Sequence, residues 1–155
     1  MELEDLKNGY ATAAKKHGLP SFNELNTNFE IEKIERESDM LVRTIRKTMM
    51  DKIVNSMGFV EMLMNPMNAP RMYVPFVKSM NGEDMKKLEK LHSVLSELII
   101  GSLELEVNYD EKKDALLIKK INSQWKGVKE DFGKLFESIR KPAVNFVKKE
   151  RSYFG

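Results

Sequence analysis

The sequence predicts an all-α protein: an up-and-down helical bundle of three long helices with shorter N-terminal, connector and C-terminal helices. Three observations carry that expectation. Between Asp110 and Ile139, alternating steps of three and four residues pick out Ile118, Ile121, Trp125, Val128, Phe132, Leu135 and Ile139, all apolar. A 3.6-residue period lines these up along one side of a helix, and a side so long and oily must be covered by other helices. Two further stretches, Asp39–Leu63 and Glu83–Asn108, repeat the pattern.

Length and composition agree. A chain of 155 residues fits one domain, expected to span 1–155, and is long enough to bury a core. Its 41% hydrophobic and 32% charged residues suit a charge-rich helical protein. Cysteine is absent, which excludes disulfides and thiolate metal ligands and suggests the cytoplasm. Glu2, Glu4 and Asp5 stand where a secretory leader would carry bases, and no run approaches the roughly 18 apolar residues of a membrane helix. The net charge of +2 argues for neither a nucleic-acid nor a membrane partner. It hides a gradient: residues 1–37 carry eight acids and five bases, whereas 141–155 form a basic tail with one acid and four bases.

In chain order, Glu2–His17 reads as a helix with acids in its first turn and bases in its last, stopped by Gly18 and Pro20. Its apolar side is thin (Leu3, Leu6, Tyr10, Ala13 or Ala14), so residues 1–18 are expected to pack least tightly. Ser21-Phe22-Asn23-Glu24 has the form of a capping box and should open a short helix. Phe29-Glu30-Ile31 alternates like a strand, but with no partner strand an extended linker is expected.

The first long helix should begin between Glu35 and Asp39. It buries Leu41, Ile45, Met49, Ile53, Met57 or Ser56, Val60 and Leu63 or Met64, with Arg43, Arg46, Lys47 and Lys52 on its flanks. Gly58 would mark a close helix crossing. Pro66, Pro70 and Pro75 then forbid a long helix through Pro66–Asn81, which should form short turns over an end of the bundle.

Asn81 is placed to cap the second long helix, whose buried side is Met85, Leu88, Leu91, Leu95, Leu98, Ser102 and Leu105, broadened by Ile99, Ile100 and Leu103. Gly101-Ser102 is a notch for a close neighbour. Asn108 or Asp110 caps the last long helix, whose stripe Leu117 and Phe136 widen. Pro142 should stop or bend it, leaving 142–155 as an extension with a short helix of its own.

Chemical signatures are few. Glu89-Lys90-Leu91-His92 has the Glu-x-x-His spacing of di-iron bundles, but a second such motif is missing and the pair reads as surface residues. Ten of eleven methionines lie between Met40 and Met85, a distribution that suits gap-filling or an adaptable groove better than copper ligation. Lys112, Lys113, Lys119, Lys120, Lys126, Lys129 and Lys134 run along the last long helix, but Asp110, Glu111, Asp114, Glu130, Asp131 and Glu137 intersperse with them. Mixed signs indicate a solvated, ion-paired side rather than a phosphate-binding surface. Gly-rich phosphate loops, Gly-x-Ser-x-Gly and thiol nucleophiles are missing, so no catalytic, cofactor-binding or metal-binding residue is assigned and no cofactor is implied.

Leu19-Pro20-Ser21-Phe22-Asn23-Glu24-Leu25-Asn26, then Phe29-Glu30-Ile31 and Leu41-Val42-Arg43-Thr44-Ile45-Arg46-Lys47, resembles an uncharacterised family of small all-helical archaeal proteins. The likeness continues loosely through Glu111-Lys112-Lys113 and Trp125-Lys126, over roughly 19–141. It implies an archaeal cytosolic bundle with no assigned activity and transfers no functional residue.

The expected function is protein–protein interaction or self-association by a non-enzymatic bundle. The candidate partner surface is the apolar connector: Met67, Met72, Tyr73, Val74, Phe76 and Val77. A ligand-binding protein or enzyme with a site inside the bundle is the alternative, and a nucleic-acid accessory the weaker one.

Overall fold

The computed structural model describes residues 2–35 and 39–153; for residues 68 and 141–153 it describes the backbone alone. The fold is an all-α helical bundle of six α-helices, with no strand among the described residues. They are α1 (Leu3–His17), α2 (Phe22–Phe29), α3 (Leu41–Met64), α4 (Val74–Ser79), α5 (Gly82–Val107) and α6 (Glu111–Tyr153). Two compact units are distinguishable: Met1–Asn55 with Ser96–Trp125, and Ser56–Leu95 with Lys126–Gly155.

In the first unit, Arg43 and Arg46 of α3 meet Glu106 and Ser102 of α5, so the two helices run antiparallel. Lys120 of α6 faces Glu97 of α5, a second antiparallel pair joined by the turn at 108–110. The core takes Ile45, Met49 and Ile53 from α3, Leu98 and Leu105 from α5, and Ile118, Ile121 and Trp125 from α6. Phe29 lies 5.3 Å from the indole, and Lys52 Nζ stands 5.4 Å from its centroid.

The N-terminal helix joins this core by burying Leu6 and Tyr10. Tyr10 Oη donates to the Pro20 carbonyl, while Lys16 and His17 both reach Glu111, at 3.4 and 3.1 Å. The hydrogen bond from His17 is the main reason the Glu111 carboxyl sits below its ordinary range. Gly18 closes α1 at φ 65°, a left-handed conformation that glycine adopts without steric penalty.

The second unit takes Met57, Val60 and Leu63 from α3, Leu88, Leu91 and Leu95 from α5, and Val128, Phe132, Leu135 and Ile139 from α6. Lys90–Asp131 and Ser138–Asp84 bind α5 to α6 in antiparallel register.

Three expected caps form. Ser21 Oγ accepts from the Glu24 amide, although Glu24 turns its own carboxylate to Asn122. Asn81 and Asp84 cap each other reciprocally at 3.0 and 3.1 Å, and Asp110 accepts from the Lys113 amide.

Elsewhere the chain departs from the sequence-based expectation. Phe29–Ile31 is no extended linker: Glu30 takes φ 54° and a 3₁₀ turn follows over Ile31–Lys33. Asn26 causes this, because its amide side chain binds both the amide and the carboxylate of Glu32 while Ile31 is buried. The first long helix opens at Leu41 rather than between Glu35 and Asp39; residues 36–38 lie outside the described ones.

Ile100, Leu103 and Phe136 face solvent instead of widening buried stripes. Nothing lies close to Gly58, so it marks no crossing, whereas Gly101 does receive Leu117. Finally, α6 continues past Pro142 to Tyr153 instead of stopping there, with no separate C-terminal helix. A proline removes one amide donor from the helical ladder, and the bonds on either side carry the helix past it. Phe154 lies outside the described residues.

Candidate interaction surface

The three prolines of the connector shape its surface. Pro66 opens a 3₁₀ turn (Pro66–Asn68), Pro70 precedes a second (Arg71–Tyr73), and Pro75 occupies the first turn of α4. Each sits where a helix start has no use for its missing amide. Breaking the segment into single turns prevents its apolar side chains from sharing one buried side.

The six residues of the expected surface consequently divide in two. Met67 and Met72 are 91% and 69% exposed, and Val74 is also exposed. Tyr73, Phe76 and Val77 are half-buried. Tyr73 is the anchor, with its ring 6.4 Å from Phe59 of α3 and 5.8 Å from Phe76. Phe59 in turn packs on Phe132 and Phe136 of α6, at 6.2 and 5.6 Å. The exposed thioethers therefore stand on an aromatic footing instead of a loose loop.

Sequence reasoning missed two neighbours of this surface. Phe136 is 44% exposed although it stacks on Phe132. A groove of about 520 Å³ also runs beside the end of α3, lined by Gly58, Met62, Met64 and Ala69, with Glu61 and His92 among its polar residues. Its signal was the methionine-rich end of α3, read there as core. His92 Nε2 faces Glu61 at 3.9 Å. No group of three or more His, Asp or Glu that could hold a metal gathers among the described residues.

A second constellation lies inside the first unit. Arg46, expected on a flank, is buried, as are Asp114 and Ser102. Arg46 Nε lies 2.6 Å from Asp114 Oδ1, Nη1 donates to Ser102 Oγ at 2.7 Å, and Nη2 is 2.9 Å from Glu106. That last contact is an ion pair without hydrogen-bond alignment. Burial alone would raise the Glu106 carboxyl, but the hydrogen bond from Arg43 and the charges of Arg46 and Lys47 hold it below its ordinary range. Each charged group here faces an opposite charge, although Asp114 Oδ2 and Arg43 Nε accept or donate no hydrogen bond, and the cluster ties three helices together.

No protein-family model matches the chain, and neither curated proteins nor solved structures give a match. Among the described residues, no helix is long and apolar enough to cross a membrane.

Proposed function

We propose that this protein is a non-enzymatic helical-bundle protein that acts in the cytoplasm by protein–protein interaction, self-association included, through its connector surface. The observation that carries the reading is the exposure of Met67 and Met72 beside a Tyr73 held by Phe59. Thioether side chains are flexible and polarizable, and they adapt to partner side chains at little conformational expense. Apolar groups this exposed, on a held backbone, are characteristic of a surface kept for another macromolecule.

The lysines of α6 support a nucleic-acid reading less well. Lys120 faces Glu97, and the other lysines alternate with acids along the helix.

The reading is tested by a photoreactive residue at position 72, irradiated in the native cell and compared with one at the exposed, polar Lys7. A protein crosslinked from 72 and absent from 7 is the expected result. Identical outcomes at the two positions would refute the reading.

A further inference from the structure

A second exposed apolar surface indicates what the connector meets. On the C-terminal half of α5, Ile100, Leu103 and Val107 are 52%, 59% and 80% exposed. Steps of three and four residues set them in one line along the helix. From residue 91 to residue 110 the chain has no Lys or Arg, but it has Glu97, Glu104, Glu106 and Asp110. Glu97 faces Lys120, Glu106 is held by Arg43 and Arg46, and Asp110 caps α6. Glu104, next to Leu103, is exposed and ion-paired to no described residue.

The connector has the opposite sign. From residue 62 to residue 82 there is no Asp or Glu, while Arg71 and Lys78 are exposed and ion-paired to no described residue. The contrast extends to the units that carry the two patches: thirteen bases against sixteen acids in the first, thirteen against eight in the second.

We propose that the connector surface of one molecule docks on the Ile100–Leu103–Val107 stripe of a second copy. The inference rests on the interaction reading above and names its partner. Apolar side chains would meet apolar side chains, and Arg71 and Lys78 would face Glu104. Pairing either patch with its own copy would oppose like charges, so a connector meets a stripe rather than another connector. Two molecules can make this contact reciprocally in a two-fold dimer, or each can pass it to a further copy in a ring or chain.

Sedimentation velocity on the full chain, Met72→Asp, Leu103→Asp and their equimolar mixture tests this. The wild type should associate into dimers or larger species with concentration, and each variant alone should stay monomeric. The mixture should stop at the dimer, because one variant keeps the stripe and the other the connector. As a second measure, Lys78→Glu should weaken association at least about tenfold and Glu104→Lys in the partner molecule should recover it. A wild type monomeric up to about 1 mM, association that survives Leu103→Asp, or a mixture without dimer overturns the proposal. A monomeric wild type that still crosslinks a different protein from position 72 removes self-pairing and leaves the interaction reading standing; one that crosslinks nothing removes both.

Discussion

Arg46 and Asp114, 68 residues apart in sequence, close an ion pair of 2.6 Å with side chains only 1% and 0% exposed. The guanidinium also reaches Ser102 and Glu106, so α3, α5 and α6 are fixed in one register by a single side chain. Such a pair pays heavily in lost hydration, and its removal as a unit differs from its removal by halves.

Arg46→Met should destabilise the protein by about 3–5 kcal/mol, since it strands Asp114 in the core without a counter-charge. The double variant Arg46→Met/Asp114→Leu should recover most of that loss. Urea denaturation of the two single variants and the double variant measures the difference. Equal losses in all three would show that the buried charge is not the cause.

Trp125→Ala should cost about 3–5 kcal/mol, because it empties the space filled against Phe29 and beneath Lys52. Far-ultraviolet circular dichroism in denaturant follows the transition, as the chain's single tryptophan is then gone.

The Tyr10 hydroxyl is pushed up to about 12, first by burial and then by the charge of Glu24. An unfolded tyrosine ionises near its ordinary value of about 10, so this contribution to stability is whole below pH ~10 and is lost as pH climbs to ~12. Tyr10→Phe should remove that part of the alkaline decline. Stability curves of the two proteins between those limits should therefore converge.

Glu30 is the one described residue other than glycine with positive φ. Glu30→Gly should raise stability by about 1 kcal/mol, although it sacrifices the exposed Glu30–Lys33 pair. Thermal unfolding reads the sign, and a lower midpoint would show that the ion pair outweighs the backbone strain.

Met72→Asp should leave stability within about 0.5 kcal/mol of the wild type, because the side chain is mostly in water already. A larger loss in a denaturant melt would mean that Met72 belongs to the fold rather than to a surface.

Much of the fold could be read from apolar rhythm, and the α6 stripe from Ile118 to Ile139 is buried as its spacing predicts. Local side-chain chemistry was equally legible, as Asn81, Asp110 and Gly18 illustrate. The buried ionic cluster was not, because a search for apolar positions discards charges. Its signal was present all the same. Arg46 keeps the beat of Val42, Met49 and Ile53; Ser102 keeps that of Leu98 and Leu105; Asp114 precedes Ile118 by four. Each long helix sets one of these polar residues in its buried line, and the three meet. The exposed stripe on α5 was hidden for the opposite reason: nothing in Ile100 or Leu103 distinguishes a residue facing water from one facing a neighbouring helix.

Met67 and Met72 stand mostly in water, unlike Met49 and Met57. Sulfur so placed is open to peroxide, and a sulfoxide would set a polar, bulkier group in the middle of the patch while sparing the shielded sulfurs. Oxidative stress would then silence the connector without unfolding the chain, and methionine sulfoxide reductase could restore it.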